Sequence, residues 1–169
     1  MKKSLILTGM MGAGKSTIGK DLSGKLNIQF KDIDKIIEKK LSLSIGDIFK
    51  KKGEEFFRKI EEEETLNLIK ERNVVVALGG GAFMNKKIRE AIKKLCVSFW
   101  LDLEPKYLFP RIKMNKRRPL LNSKNLEQDV KNLYEKRKKT YSLADYKIDC
   151  NLKTKEEITK EVVKIYENI

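Results

Sequence analysis

Eight consecutive residues, Gly9-Met10-Met11-Gly12-Ala13-Gly14-Lys15-Ser16, follow the spacing GxxxxGKS. Glycines at these positions let backbone N–H groups turn inward around phosphate oxygens. A helix beginning at the lysine points its positive end at the same anion. Lys15 is then placed to reach the β and γ phosphates, and the Ser16 hydroxyl to ligate Mg²⁺. The chemistry is that of a nucleoside triphosphate. The loop alone does not separate GTPase, ATPase and kinase, so the groups around it carry the rest.

Two carboxylates, Asp32 and Asp34, end the next apolar run. On a strand, alternation puts both on one side, one near a metal and one near an acceptor hydroxyl. As an acidic pair at a helix N-terminus they suit the dipole equally well. Gly79-Gly80-Gly81 follows Val74–Leu78, either as a tight turn or as a place where a ligand approaches the backbone. Arginine is scarce: 7 of the 38 basic residues, against 31 lysines. Its planar fork grips carboxylate and phosphate as lysine cannot, so each arginine is informative. Arg58 lies beside Phe57 and near Phe49, a pattern that suits a carboxylate site or simple core packing. Lys116-Arg117-Arg118-Pro119 reads as a lid over phosphates or as a solvated basic loop. Arg137 stands in Lys136-Arg137-Lys138-Lys139, a run that is mostly helix surface.

The elements that must position these groups alternate. Ser4–Thr8 reads as a buried strand, Lys15–Leu26 as a helix, and Ile28–Asp34 as a second strand running into the carboxylates. A helix through Ile36, Ile37 and Leu41 follows. Residues 43–58 are mixed, with Ile45, Ile48 and Phe49 on one helical face and Gly53 breaking it, and the next helix runs from Phe56 to Lys70. Val74–Leu78 is a third strand. Asn85 caps a helix reaching Lys94, Val97–Leu101 is a fourth strand, and a helix follows Pro105. Lys113–Lys124 reads as a loop, Leu126–Leu143 as a helix and Tyr146–Asp149 as a fifth strand. Thr154 with Glu157 forms a capping box for the closing helix. Strand–helix alternation means a parallel sheet covered on both faces, with ligands bound beyond the carboxyl ends of its strands.

Composition removes other classes. The chain has no histidine, so an acid–base group must be Asp, Glu, Lys or water. Cys96 and Cys150 lack metal-ligand spacing and read as buried thiols. No apolar run approaches the roughly 20 residues that span a bilayer, and Lys2-Lys3 leads straight into the first strand without a secretory pattern. A cytoplasmic monomer with no membrane partner is expected. The net charge of +14 could serve nucleic acid. Its lysines are instead spread along the chain among glutamates, without an aromatic–basic stacking motif, so no nucleic-acid partner is expected.

From Gly9 to about Tyr141 the chain resembles shikimate kinase. Beside the phosphate loop, Ile45-Gly46-Asp47-Ile48-Phe49, Gly53-Glu54 and Phe57-Arg58 with Glu61 are similar to that family's substrate-binding region. Gly79-Gly80-Gly81-Ala82 is similar to its glycine motif, Arg118-Pro119-Leu120-Leu121 to its lid, and Arg137 with Tyr141 to its Arg-x-x-x-Tyr. Lys139 departs from the family, which often has proline there.

The resemblance implies one three-layer α/β/α domain over 1–169, with a central five-stranded parallel sheet. This is the P-loop kinase fold related to nucleoside monophosphate kinases, with a lid at about 113–124 and a substrate region at about 33–61. It implies phosphoryl transfer from ATP to the 3-hydroxyl of shikimate, with Mg²⁺ as cofactor. Gly12, Ala13, Gly14, Lys15, Ser16 and Thr17 would hold the ATP phosphates. Ser16 would bind Mg²⁺ directly and Asp32 through water. Asp34 would bind shikimate hydroxyls and receive the reacting proton, Arg58 and Arg137 would clasp the carboxylate, and Gly80 would bond to the ring. Arg118 would reach the phosphates from the lid, so that Lys15, Asp34 and Arg118 form the catalytic set. Arg111 would lie by the adenine, with a further adenine contact near 151–154. A gluconate or nucleoside monophosphate kinase is the rival enzyme, and a basic nucleic-acid-binding protein the rival of another class.

Overall fold

The computed structural model describes residues 2–114 and 124–169. The strands are β1 (Ser4–Thr8), β2 (Gln29–Asp32), β3 (Val74–Ala77), β4 (Cys96–Asp102) and β5 (Tyr146–Asp149). The helices are α1 (Lys15–Leu26), α2 (Ile33–Leu41), α3 (Ile45–Leu68), α4 (Lys86–Leu95), α5 (Pro105–Lys113), α6 (Leu126–Tyr141) and α7 (Lys155–Glu167). The strands form one sheet in the order β2-β3-β1-β4-β5, and every pairing is parallel.

Every residue of β1, β3 and β4 is buried. Successive strand side chains point to opposite faces, so both faces are covered and the architecture is three-layered, as expected. The edge strands β2 and β5 are partly exposed. β1 lies at the centre, with β2 and β3 on one side and β4 and β5 on the other. The chain changes direction around β1, and a ligand crevice opens at such a switch point beyond the strand ends. The phosphate loop leaves β1 there, and the triple glycine leaves β3 beside it. Gly19 lets α1 close on β2, because Phe30 ring carbons occupy the place of a Cβ at that position.

One expectation is corrected. The second strand stops at Asp32, so Asp32 and Asp34 do not alternate along it. Asp32 is the N-cap of α2, accepting from the Lys35 backbone N–H at 3.3 Å, and Asp34 lies in the first helical turn. Capping and the helix dipole outweigh strand alternation here. The helical face of Ile45, Ile48 and Phe49 is present as the first part of α3, which Ser44 caps through the Asp47 N–H. Gly53 breaks α3 as expected, its φ 85° and ψ 168° kinking the chain between two helical segments. The expected caps are present: Asn85 accepts from Lys87 and Ile88, and Thr154 and Glu157 form the capping box. No helix among the described residues is long and apolar enough to cross a membrane.

Asn85 also joins its cap to α3, since its Nδ2 donates to Glu62 at 2.5 Å. Asn85→Ala is expected to cost roughly 1–2 kcal/mol, lowering the melting temperature by about 2–8 °C in thermal unfolding. An unchanged melting temperature would refute this role.

Candidate active site

The phosphate loop is built around glycine conformations. Gly12 (φ 81°) and Gly14 (φ 97°) lie in the left-handed region, and Gly14 is the N-cap of α1. The Lys15 side chain folds back over the loop. Its Nζ donates to the carbonyls of Gly9 (2.8 Å) and Met10 (2.9 Å). Ser16 and Thr17 stand exposed at the start of α1, where the unpaired N–H groups of the first turn gather. The Ser16 hydroxyl donates to Asp32 Oδ2 at 2.5 Å. Arg111, on the last turn of α5, donates to the Gly12 carbonyl at 3.3 Å.

The second half of the site is organised by the three glycines after β3. Around the point where a Cβ of Gly79 would stand, Glu61 Oε1 lies at 2.5 Å and Asp34 Oδ1 at 2.9 Å. The same point at Gly80 is 3.3 Å from the Met11 backbone nitrogen and 3.4 Å from Arg137 Nη1. At Gly81 it is filled by the Arg58 guanidinium. Thus α2, α3 and α6 each deliver charge to one short stretch of backbone, and the phosphate loop leaves no room for a side chain at its middle residue.

Electrostatics explains the pairing within this cluster. Arg58 Nη1 donates to Glu61 Oε2 at 2.6 Å, and its Nε and Nη2 reach Glu54 at 3.3 Å. Burial opposes the Arg58 charge, but the two glutamates outweigh it and hold its pKa above the ordinary value. The Glu61 side chain is only 2% exposed. Burial, reinforced by Asp34 and opposed by Arg58 and Arg137, pushes its carboxyl above the usual range. Glu61 Oε1 has no hydrogen-bond partner among the described residues. Arg137, itself buried, donates from Nη1 to the Gly80 carbonyl at 3.1 Å.

The structure therefore brings Asp34, Arg58, Gly80 and Arg137 together. It sets Gly12, Ala13, Gly14, Lys15, Ser16 and Thr17 in one loop and helix start, with Asp32 and Arg111 against them. Lys113, read as the start of the lid loop, instead ends α5, and residues 115–123 of the expected lid, Arg118 among them, lie outside the described residues. Sequence reasoning assigned no role to Glu61 or Tyr141. Both were detectable by spacing, three residues after Arg58 and four after Arg137, on the same helical faces. The Tyr141 hydroxyl bonds the Gly80 carbonyl at 2.5 Å.

A phosphate loop beside a cluster of arginines and carboxylates, on a parallel sheet, is the arrangement of a small P-loop phosphotransferase. The sequence model of the shikimate kinase family matches residues 11–167. The chain is 38% identical over 164 residues to the shikimate kinase of Caldanaerobacter subterraneus, covering 97% of this chain and 96% of that one. It is 40% identical over 161 residues to that of a Sulfurihydrogenibium species, covering 95% and 96%. Among solved structures, shikimate kinase from Acinetobacter baumannii in complex with shikimate superimposes with a TM-score of 0.95 at 31% identity, covering 99% and 94%. The Aquifex aeolicus enzyme gives 0.85 at 39%, covering 98% and 96%. The chain belongs to the shikimate kinase family.

Because the Glu61 pKa is raised on folding, the folded state holds its proton more tightly than the unfolded chain does. Its stabilising contribution is present below the ordinary carboxyl value of 4.5 and is lost as pH rises through the folded value. The melting temperature of the wild type minus that of Glu61→Gln is expected to fall as pH is raised from 4.5 to neutrality. A flat or rising difference would contradict the burial argument.

Proposed function

We propose that this chain transfers the γ-phosphoryl group of ATP to the 3-hydroxyl of shikimate, giving shikimate 3-phosphate and ADP. The observation that carries this reading is the convergence of Asp34, Arg58 and Arg137 on Gly79–Gly81, beside the phosphate loop. Two arginines suit the acceptor's carboxylate, and Asp34 suits its hydroxyls. The acceptor oxygen forms a bond to the γ phosphorus while the bond to the β–γ bridging oxygen breaks. The hydroxyl proton passes to Asp34, and ADP leaves.

Little covalent chemistry falls to the protein, so positioning and charge stabilisation supply most of the rate. Lys15 exchanges its two loop carbonyls for phosphate oxygens when the triphosphate enters. Gly12, Ala13, Gly14, Ser16 and Thr17 complete the cradle with backbone and hydroxyl donors. Arg111, which donates to the Gly12 carbonyl at the edge of the loop, is assigned the adenine by family resemblance, and Arg118 the phosphates. The facing oxygens of Ser16 and Asp32 form a hard donor pair that suits Mg²⁺, and these two residues would hold it. Mg²⁺ when bound neutralises charge on the transferring phosphates.

We read the chain as a cytoplasmic monomer without a nucleic-acid partner. Against nucleic acid, many of its lysines are engaged with glutamates, as at Lys31–Glu71, Lys40–Glu64 and Lys153–Glu161.

A coupled assay should show ADP formation that depends on shikimate, and its absence at saturating ATP and Mg²⁺ overturns the reading. In thermal shift, shikimate should stabilise the protein where gluconate, AMP and CMP do not. Lys15→Ala should lower kcat by about 100-fold or more. Arg58→Ala should raise the shikimate KM roughly 10- to 100-fold with the ATP KM nearly unchanged. Equal damage to both KM values would remove Arg58 from the carboxylate site.

A further inference from the structure

Gly80 is held from α6 by two side chains one helical turn apart. Its carbonyl accepts from Arg137 Nη1 at 3.1 Å and from the Tyr141 hydroxyl at 2.5 Å. A carbonyl oxygen has two lone pairs, so these donors saturate it. The peptide that joins Gly80 to Gly81 is planar and trans. With its C=O tied to α6, its N–H is turned away from α6 and cannot rotate without breaking two bonds.

Tyr141 is itself immobilised. It is fully buried, and its ring stacks on Trp100 of β4 with centroids 5.9 Å apart and 27° between planes. Trp100 is 2% exposed and carries Lys147 Nζ over its ring at 4.9 Å. The hydroxyl is therefore aimed by the sheet rather than by α6 alone. Burial also raises the phenol pKa, which keeps it a donor at neutral pH.

We propose that Tyr141 is a positioning residue for the acceptor: by sharing the Gly80 carbonyl, it sets the Gly80–Gly81 peptide and the guanidinium of Arg137 in the orientation that receives the acceptor's carboxylate. The inference rests on the acceptor reading given above. It goes beyond that reading by assigning work to a hydroxyl that does not touch the acceptor. Without it, one buried lone pair loses its partner, and Arg137 alone among the described residues still hydrogen-bonds the Gly80 carbonyl from α6.

Tyr141→Phe keeps the ring and its stack and removes only the hydroxyl. It is expected to raise the shikimate KM roughly 5- to 30-fold, the size of one lost buried hydrogen bond, with a smaller fall in kcat. The ATP KM should stay within about twofold, and shikimate should lose much of its thermal stabilisation while ADP keeps its own. A purely structural role predicts a lower melting temperature with both KM values unmoved or moved together, and either result overturns the proposal. Trp100→Phe retains the hydroxyl but loosens the stack that aims it, so it should give the same shikimate-selective change at smaller size. It provides the test if Tyr141→Phe does not fold, and an unselective change there also overturns the proposal. Arg137→Ala separates the two levels. If it raises the shikimate KM and Tyr141→Phe does not, only the role of Tyr141 fails. If Arg137→Ala leaves that KM unchanged, the acceptor reading fails and takes this proposal with it.

Discussion

Three successive residues without side chains, at the end of the strand beside the phosphate loop, are the constraint on which this site depends. A Cβ at Gly79 would meet two carboxylates, and one at Gly81 would meet a guanidinium. Charged groups from α2, α3 and α6 can share so small a volume because the backbone there leaves it to them. A Cβ at Gly80 would stand 3.3 Å from the Met11 nitrogen, so the acceptor half lies next to the phosphate half. Transfer between two bound molecules needs that proximity.

Charge balance is the second requirement. Two arginines beside one another would repel each other in a buried site. Glu61 and Glu54 hold Arg58, the Gly80 carbonyl holds Arg137, and Asp34 adds a further negative charge. The cluster is close to neutral before any acceptor arrives, which lets Arg137 stay buried and Arg58 half-buried without an anion. Glu61 bears the cost, since its buried carboxyl is held above its usual pKa. An arriving carboxylate would compete with Glu61 for Arg58 and would meet donors already aimed.

The phosphate half follows similar logic. Lys15 donates to its own loop carbonyls, which satisfies a cation that is only 9% exposed. Ser16 and Asp32 face each other through a short hydrogen bond. In both halves, groups suited to ligand are satisfied internally by bonds that a ligand can replace. This arrangement limits the reorganisation that binding requires.

Local patterning determined much of this protein. The GxxxxGKS spacing, the alternation of buried strands with amphipathic helices, the caps at Asn85 and Thr154 and the break at Gly53 are short-range physics, legible within a few residues. The scarcity of arginine singled out Arg58 and Arg137, and their order among the other motifs pointed to the family. Strand order was not legible, because nothing in a buried apolar run says which neighbour it will pair with. The place of Asp34 was misread, because the dipeptide step from strand to helix depends on a cap that competes with strand alternation. Glu61 and Tyr141 could be seen only as neighbours of arginines. That the Glu61 carboxylate fills the space beside Gly79, and that the Tyr141 hydroxyl shares Gly80 with Arg137, are contacts between segments more than 15 residues apart. Only the packing of helices on the sheet decides such contacts, because it alone determines which distant side chains fill the space three glycines leave open.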